Sequence, residues 1–321
     1  MANLTTMEWL PAWLTWVGST TMCLDALGVE CDATDVAGQS GYAFAISVNE
    51  GLCPSGPTSL DWAALSTGIM NLGRTTLSYV SGDSYTGKTH NDRTAAHAHA
   101  VFELVRRETE AGRPCVVWGL GPPEFGVVRA VDGDEYVCVP GGSTPPRVRW
   151  DEVDAPGGPY ALGFPTASVA AWSPDRSAIR RGLHMMLRPD HAEGWSCGEN
   201  AFTFWAAELE GGRALPFGNS YNAQCWAEAR THAREFVGRV ASRNSGSLHL
   251  ARAHEFFGES AGHLTAVAEL FPFPQEGESI EDQGLIESAA AEIRAAGQAD
   301  GRAKDALLGA LSEWPAAEDE S

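Results

Sequence analysis

The hydrophobic periodicity of this chain changes character across a Pro- and Gly-dense stretch between Pro140 and Pro174, and that break constrains the fold more than any other feature. Before it, short apolar runs, some alternating with period two, are interrupted by turn residues; beyond it, apolar residues recur at helical spacing. A chain of 321 residues exceeds the usual size of one domain. The pattern therefore predicts an α+β domain over 1–168, an all-α domain over 169–315 and a solvated acidic tail at 316–321 that ends Glu318-Asp-Glu-Ser.

Within the first part, Ser19 to Leu27 reads as a helix capped by Ser19 and stopped by Gly28. Gly38 to Asn49 reads as a glycine turn running into an alternating strand, and Thr58 with Asp61 predicts a capped helix reaching Leu72. A short strand (Leu77 to Val80), a polar loop (Ser81 to Thr89) and a helix (Asp92 to Glu110) follow. Three strands come next, Cys115 to Gly119, Phe125 to Val131 and Glu135 to Val139. The last two are joined by Asp132-Gly133-Asp134, a strong hairpin signal because Asp-Gly tolerates positive φ. In the second part helices are expected over 175–187, 198–210, 221–242, 247–257, 262–270, 280–296 and 301–314, with Pro189 and Phe271-Pro-Phe-Pro as punctuation.

Composition narrows the function classes. A formal net charge of -20 repels a phosphate backbone, so no nucleic-acid partner is expected. The N-terminal residues lack a basic stretch followed by an apolar core, and no run approaches the roughly 20 apolar residues of a membrane span. A cytoplasmic protein with no membrane partner is the expectation. Cysteines at 23, 31, 53, 115, 138, 197 and 225 are odd in number and form no CxxC pair, which predicts reduced core residues rather than a disulfide framework or a zinc site.

The order of these elements carries a resemblance. Trp16-Val-Gly-Ser-Thr-Thr-Met-Cys-Leu-Asp-Ala-Leu-Gly opens the fold, Gly38-Gln-Ser-Gly-Tyr-Ala-Phe follows the first helix, and Gly112-Arg-Pro-Cys-Val-Val-Trp precedes Glu124-Phe-Gly-Val-Val-Arg-Ala-Val-Asp-Gly-Asp. Together they resemble the papain-like fold of bacteriocin-processing cysteine peptidases and, more closely, the N-terminal domain of butirosin biosynthesis protein H and its relatives. Trp205-Ala-Ala-Glu-Leu and Phe271-Pro-Phe-Pro resemble the helical region that often follows such domains. The resemblance implies a papain-like N-terminal domain, a helix followed by an antiparallel sheet, with an all-α domain behind it.

Papain-like chemistry needs a thiolate at a helix N-terminus, a His to take its proton and an Asp or Asn to orient that His. At the implied nucleophile position the first helix offers Ser19, either as cap or as nucleophile, with Cys23 one turn further in as packing residue or nucleophile. The implied His position holds Glu124, and the orienting position falls at Cys138-Val139. All three depart from the catalytic pattern. Glu124 at the mouth of a strand is a candidate base or amine-binding anion, against the plainer reading of a strand-edge residue paired with an Arg. Cys53, in a Pro- and Gly-rich loop, is the candidate exposed thiol, against an ordinary loop cysteine.

His90, His97 and His99 cluster in sequence, but His97 and His99 would point about 200° apart on a helix, and His249 with His254 is no better spaced for a shared ion. No metal is expected. The glycines form neither GxGxxG nor GxxxxGK[ST], so no nucleotide cofactor is expected either. Two functions compete: a non-catalytic or chemically altered binder of a small molecule or peptide, cationic by preference, and an acyl- or amide-transfer enzyme of small-molecule biosynthesis. The second would work through Cys53, Ser19 or Cys23 with Glu124 or a distant His. A helical assembly module is a third reading, and self-association into a homo-oligomer stays open.

Overall fold

The computed structural model describes residues 4–81, 92–171 and 173–314. In chain order its elements are α1 (Thr15–Ala26), α2 (Ala33–Ser40), β1 (Ser47–Asn49), α3 (Trp62–Thr67), β2 (Leu77–Val80), α4 (Asp92–Glu110), β3 (Cys115–Trp118), β4 (Phe125–Asp132), β5 (Glu135–Cys138), β6 (Arg147–Arg149), β7 (Tyr160–Gly163), α5 (Pro174–Met186), β8 (Trp195–Cys197), α6 (Glu199–Glu210), α7 (Pro216–Arg243), α8 (Leu248–Leu270) and α9 (Gln283–Glu313). The class is α+β with a helical C-terminal region, in keeping with the break in periodicity. The loop expected over Ser81 to Thr89 lies, past Ser81, outside the described residues, as does the acidic tail at 316–321. No helix among the described residues is long and apolar enough to cross a membrane.

The chain divides into two compact units, Met1–Val36 with Trp62–Trp172, and Ala37–Asp61 with Ser173–Ser321. A boundary at 168/169 assigns Ala37–Asp61 to the first domain, whereas its contacts group it with the second. The second unit is also not purely helical. β1 pairs with β8 in a two-stranded antiparallel sheet, Ser47 opposite Cys197.

In the first unit a six-stranded sheet runs in the order β2-β7-β3-β4-β5-β6, with all neighbouring strands antiparallel. The predicted meander β3-β4-β5 is its centre, with the Asp132-Gly133-Asp134 turn between β4 and β5 and Gly133 at φ +59°. β6 and β7 come from the Pro/Gly-dense stretch, where punctuation masks their short strand patterns. α1 and α4 pack on the sheet. Trp16, Trp62, Phe125 and Tyr160 form an aromatic cluster with ring centroids 4.6–6.2 Å apart, closed by a hydrogen bond of 3.0 Å from Trp16 Nε1 to the Tyr160 hydroxyl. An indole is buried at low cost only when its N–H finds an acceptor, and here the phenol oxygen supplies it.

The second unit is built on α7, α8 and α9, with α6 packed against α9. Two helices expected over 247–270 are one helix, α8, and two expected over 280–314 are one helix, α9. At the second of these expected gaps a glycine serves close approach. A Cβ on Gly297 would lie 2.8 Å from Phe202 Cβ, so glycine there lets α9 settle against α6. Of the turn and strand expected over Gly38 to Asn49, only Ser47–Asn49 is strand, as β1; residues 38–40 are instead the end of helix α2, whose start Asp32 and Asp35 cap reciprocally. The Asp35 N–H donates to Asp32 Oδ1 at 3.0 Å and the Asp32 N–H to Asp35 Oδ2 at 3.3 Å.

At the centre of this unit Arg230, fully buried, pairs with Asp300. Nε and Nη2 donate to the two carboxylate oxygens at 2.8 Å each, and Nη1 donates to the Ala43 and Ala45 carbonyls at 3.0 and 2.7 Å. Ser260 Oγ donates to Asp300 Oδ1 at 2.9 Å. Removing one partner of such a pair leaves an uncompensated charge in the core. Asp300→Asn should therefore lower the unfolding free energy in urea by about 3 kcal/mol. Arg294→Ala, which breaks only the exposed pair with Glu210, should cost less than about 1 kcal/mol.

Candidate functional site

The first helix begins one turn earlier than the glycine-to-serine spacing predicts. The Leu14 carbonyl accepts from the Val17 and Gly18 N–H groups at 2.8 and 3.1 Å, so Thr15 is the first helical residue. Trp16 and Val17 are fully buried, and this burial holds the turn without a side-chain cap. The chain ahead of α1 folds back over it. A Cβ on Gly18 would lie 2.9 Å from Ala12 Cβ, and the Leu10 N–H donates to Met22 Sδ at 3.3 Å. Ser19 is thus neither cap nor helix start but a residue of the second turn, 3% exposed.

Thr15 is half-buried, and its hydroxyl donates to Glu124 Oε2 at 2.5 Å while accepting from the Phe125 N–H at 3.2 Å. The start of α1 and the start of β4 are therefore joined through one hydroxyl. The turn that presents Glu124 is itself tied down. The Gly119 N–H donates to the Glu124 carbonyl at 2.9 Å, the Glu124 N–H to the Pro122 carbonyl at 2.7 Å, and the Asp154 N–H to the Gly119 carbonyl at 3.1 Å. Gly119 has φ +84°, and a Cβ on it would lie 2.3 Å from the Asp154 carbonyl oxygen, so only glycine fits. The carboxylate is held against the helix start by backbone rather than by a flexible loop.

The remaining sequence candidates fall elsewhere. Cys23 is fully buried, and burial first, with Cys115 nearby second, raises its thiol pKa well above the ordinary value. A thiol so held is a core residue rather than a nucleophile. Cys138, at the implied orienting position, is buried, with its thiol pushed up to about 12 by burial. Cys53 belongs to the second unit, where the Ser55 hydroxyl donates to its sulfur at 3.2 Å and Asn222 Nδ2 donates to its carbonyl at 3.2 Å. It does not share a unit with Glu124.

His97 Nδ1 and the Tyr79 hydroxyl lie 2.5 Å apart, and His99 packs its ring on Trp150. His249 lies 3.7 Å from Glu313, and His254 Nδ1 lies 2.9 Å from the Arg234 carbonyl. His90 lies outside the described residues. Among the described residues no group of three His, Cys, Asp or Glu side chains is arranged to hold a metal ion. A cavity of about 440 Å³ lies between the α7–α8 turn and the end of α9. There Ser247 bonds Glu313, and Trp314 Nε1 donates to Asn244 at 3.3 Å.

Sequence reasoning missed Thr15. The residue carries no capping signature, and the burial of Trp16 that starts the helix ahead of Ser19 has no local signal. Chemically, the Thr15–Glu124 pair has the layout of a nucleophile and base without the basicity. A carboxylate is by its chemistry a weaker proton acceptor than an imidazole, and a threonine hydroxyl is far less acidic than a thiol. What the pair offers a ligand is a fixed negative charge.

Neither a scan against protein-family models nor a search of curated protein sequences finds a match to the chain.

Proposed function

We propose that the first unit is a papain-like domain that has exchanged thiol catalysis for non-covalent binding, and that its ligand is a small molecule or peptide presenting a cationic or hydrogen-bond-donating group to Glu124. The observation that carries this reading is the 2.5 Å hydrogen bond from Thr15 to Glu124, which joins the first helix to the second meander strand. In the fold that the chain resembles, nucleophile and base meet across that junction. Here a hydroxyl and a carboxylate occupy it, and their chemistry favours charge recognition over proton abstraction. The neighbouring helix start places the positive end of the α1 dipole beside the carboxylate, offsetting part of its desolvation.

The acyl- or amide-transfer alternative within this unit has little to work with. Cys23 is kept protonated by burial and Ser19 is enclosed in the second turn of α1.

Saturation-transfer NMR with methylguanidinium and n-butylammonium, and with acetate as the anionic control, tests the proposal. Both cations should give signals and acetate none. Glu124→Gln, which keeps an acceptor for Thr15 and so keeps the fold, should weaken the cations at least about tenfold. Unchanged cation binding in Glu124→Gln, or equal binding of acetate, would remove the proposal.

The non-thiol character has its own check. Cys23 should resist iodoacetamide at neutral pH in the folded protein and react only once urea unfolds it; labelling before unfolding would restore it as a nucleophile.

A further inference from the structure

A second constellation, in the other unit and independent of Glu124, lies where β8 ends. Cys197 is the last residue of β8, Gly198 turns the chain at φ +56° and ψ -137°, and α6 begins at Glu199. A Cβ on Gly198 would lie 2.3 Å from the Met186 carbonyl oxygen, so the sharp turn depends on glycine. A strand that passes through a tight turn straight into a helix holds the side chain at the turn in one place, an arrangement suited to a nucleophile.

The groups around that sulfur match the role. His191 Nδ1 lies 3.3 Å from Cys197 Sγ. Ser47 Oγ, directly across the β1–β8 pair, lies 3.5 Å from the same sulfur. Asp190 Oδ1 accepts from the Cys197 N–H at 2.8 Å, which fixes the backbone of the cysteine and sets the carboxylate beside the histidine in sequence. The Trp195 ring packs on the imidazole with centroids 4.7 Å apart, restricting its rotation. Cys197 itself is 1% exposed, while His191 is exposed.

The geometry points to Cys197 as a nucleophilic thiol, with His191 as its base, that accepts a small acyl group from an activated ester or thioester. The sulfur attacks the carbonyl carbon and forms the C–S bond, while its proton passes to His191 Nδ1. The bond from the carbonyl carbon to the leaving oxygen or sulfur then breaks, and the leaving group departs as an anion or takes the proton from His191. Asp190 is a positioning residue that acts through the Cys197 backbone. The near-complete burial of the cysteine limits the acyl group to a small one.

The charged and titratable groups around the imidazole are Arg188, Asp190 and Cys197, and Glu50 lies against Gly194 of the same loop. Partial desolvation first and Arg188 second lower the pKa of the largely exposed His191 from its ordinary value, and Asp190 opposes them. Neutral imidazole accepts the thiol proton and imidazolium does not. Acylation is therefore present at neutral pH and lost as pH falls through a value below the ordinary histidine range.

The full chain is treated with p-nitrophenyl acetate, release of nitrophenolate is followed, and each cysteine peptide is read by mass spectrometry. The acetyl group should appear first on Cys197, ahead of the more exposed Cys53. His191→Gln should slow that step at least about tenfold, with Cys53 modification unchanged as the control for folding. Should His191→Gln fail to fold, the pH profile of the unsubstituted protein decides, since an acid limb below the histidine range is expected. Acetylation of Cys197 only after unfolding, a rate indifferent to His191→Gln in a folded variant, or a rate that follows only an ordinary thiol ionisation would each overturn the inference.

Discussion

The buried guanidinium of Arg230 is the constraint on which the second unit depends. A charge in the core is tolerated only when its nitrogens are hydrogen-bonded and the countercharge is close, and Arg230 meets both conditions, with all three guanidinium nitrogens donating to Asp300 from α9 or to the carbonyls of Ala43 and Ala45. Those carbonyls belong to a segment that precedes most of the sheet strands in sequence yet groups with the helices. The ion pair thus does more than join α7 to α9. It recruits a stretch of chain from some 190 residues away in sequence, and with it β1, which supplies Ser47 to face Cys197. The small β1–β8 sheet, and the turn at Gly198 behind it, rest on a segment that the core arginine holds.

In the first unit the comparable constraint is the burial of Trp16. Once that indole is committed to the cluster with Trp62 and Tyr160, the first turn of α1 is set and Thr15 becomes its first residue. A shift of one helical turn is a rise of about 5.4 Å, enough to decide which hydroxyl meets Glu124. The chemistry of the junction is therefore a consequence of the aromatic packing of Trp16 and Phe125, the residues that follow Thr15 and Glu124.

Much of the fold was legible because its signals are local. The Asp132-Gly133-Asp134 turn needs positive φ and has it, and the three strands of the meander fall within one residue of the positions their patterns predict. Legibility failed where the deciding contact was distant. Gly297 reads as a helix break until Phe202 is placed beneath it, and the start of α1 reads as Ser19 until Trp16 is buried. One miss was local: Asp32 and Asp35 form a reciprocal cap with Asp in both places rather than Ser and Glu, and α2 went unread as helix. At the candidate site Glu124 could be singled out from its place at the mouth of a strand, but its partner Thr15 could not. The pairing of His191 with Cys197 was equally hidden, since the loop between them folds the imidazole back onto the sulfur without any sequence motif to mark it.

The Thr15–Glu124 bond also sets a condition on any ligand of the first unit. The hydroxyl already satisfies one carboxylate oxygen at 2.5 Å and is itself held by the Phe125 N–H, so a neutral donor that displaced it would exchange one hydrogen bond for another and gain little. A charged donor differs in kind. Bonds between an ammonium or guanidinium group and a carboxylate are roughly twice as strong as those between neutral groups, and a half-buried carboxylate is screened less than one in open water. The incumbent hydroxyl therefore acts as a filter, raising the threshold for neutral donors while a cation retains its advantage. A ligand site at this junction would in this way gain selectivity, through competition between a fixed hydroxyl and an incoming charge.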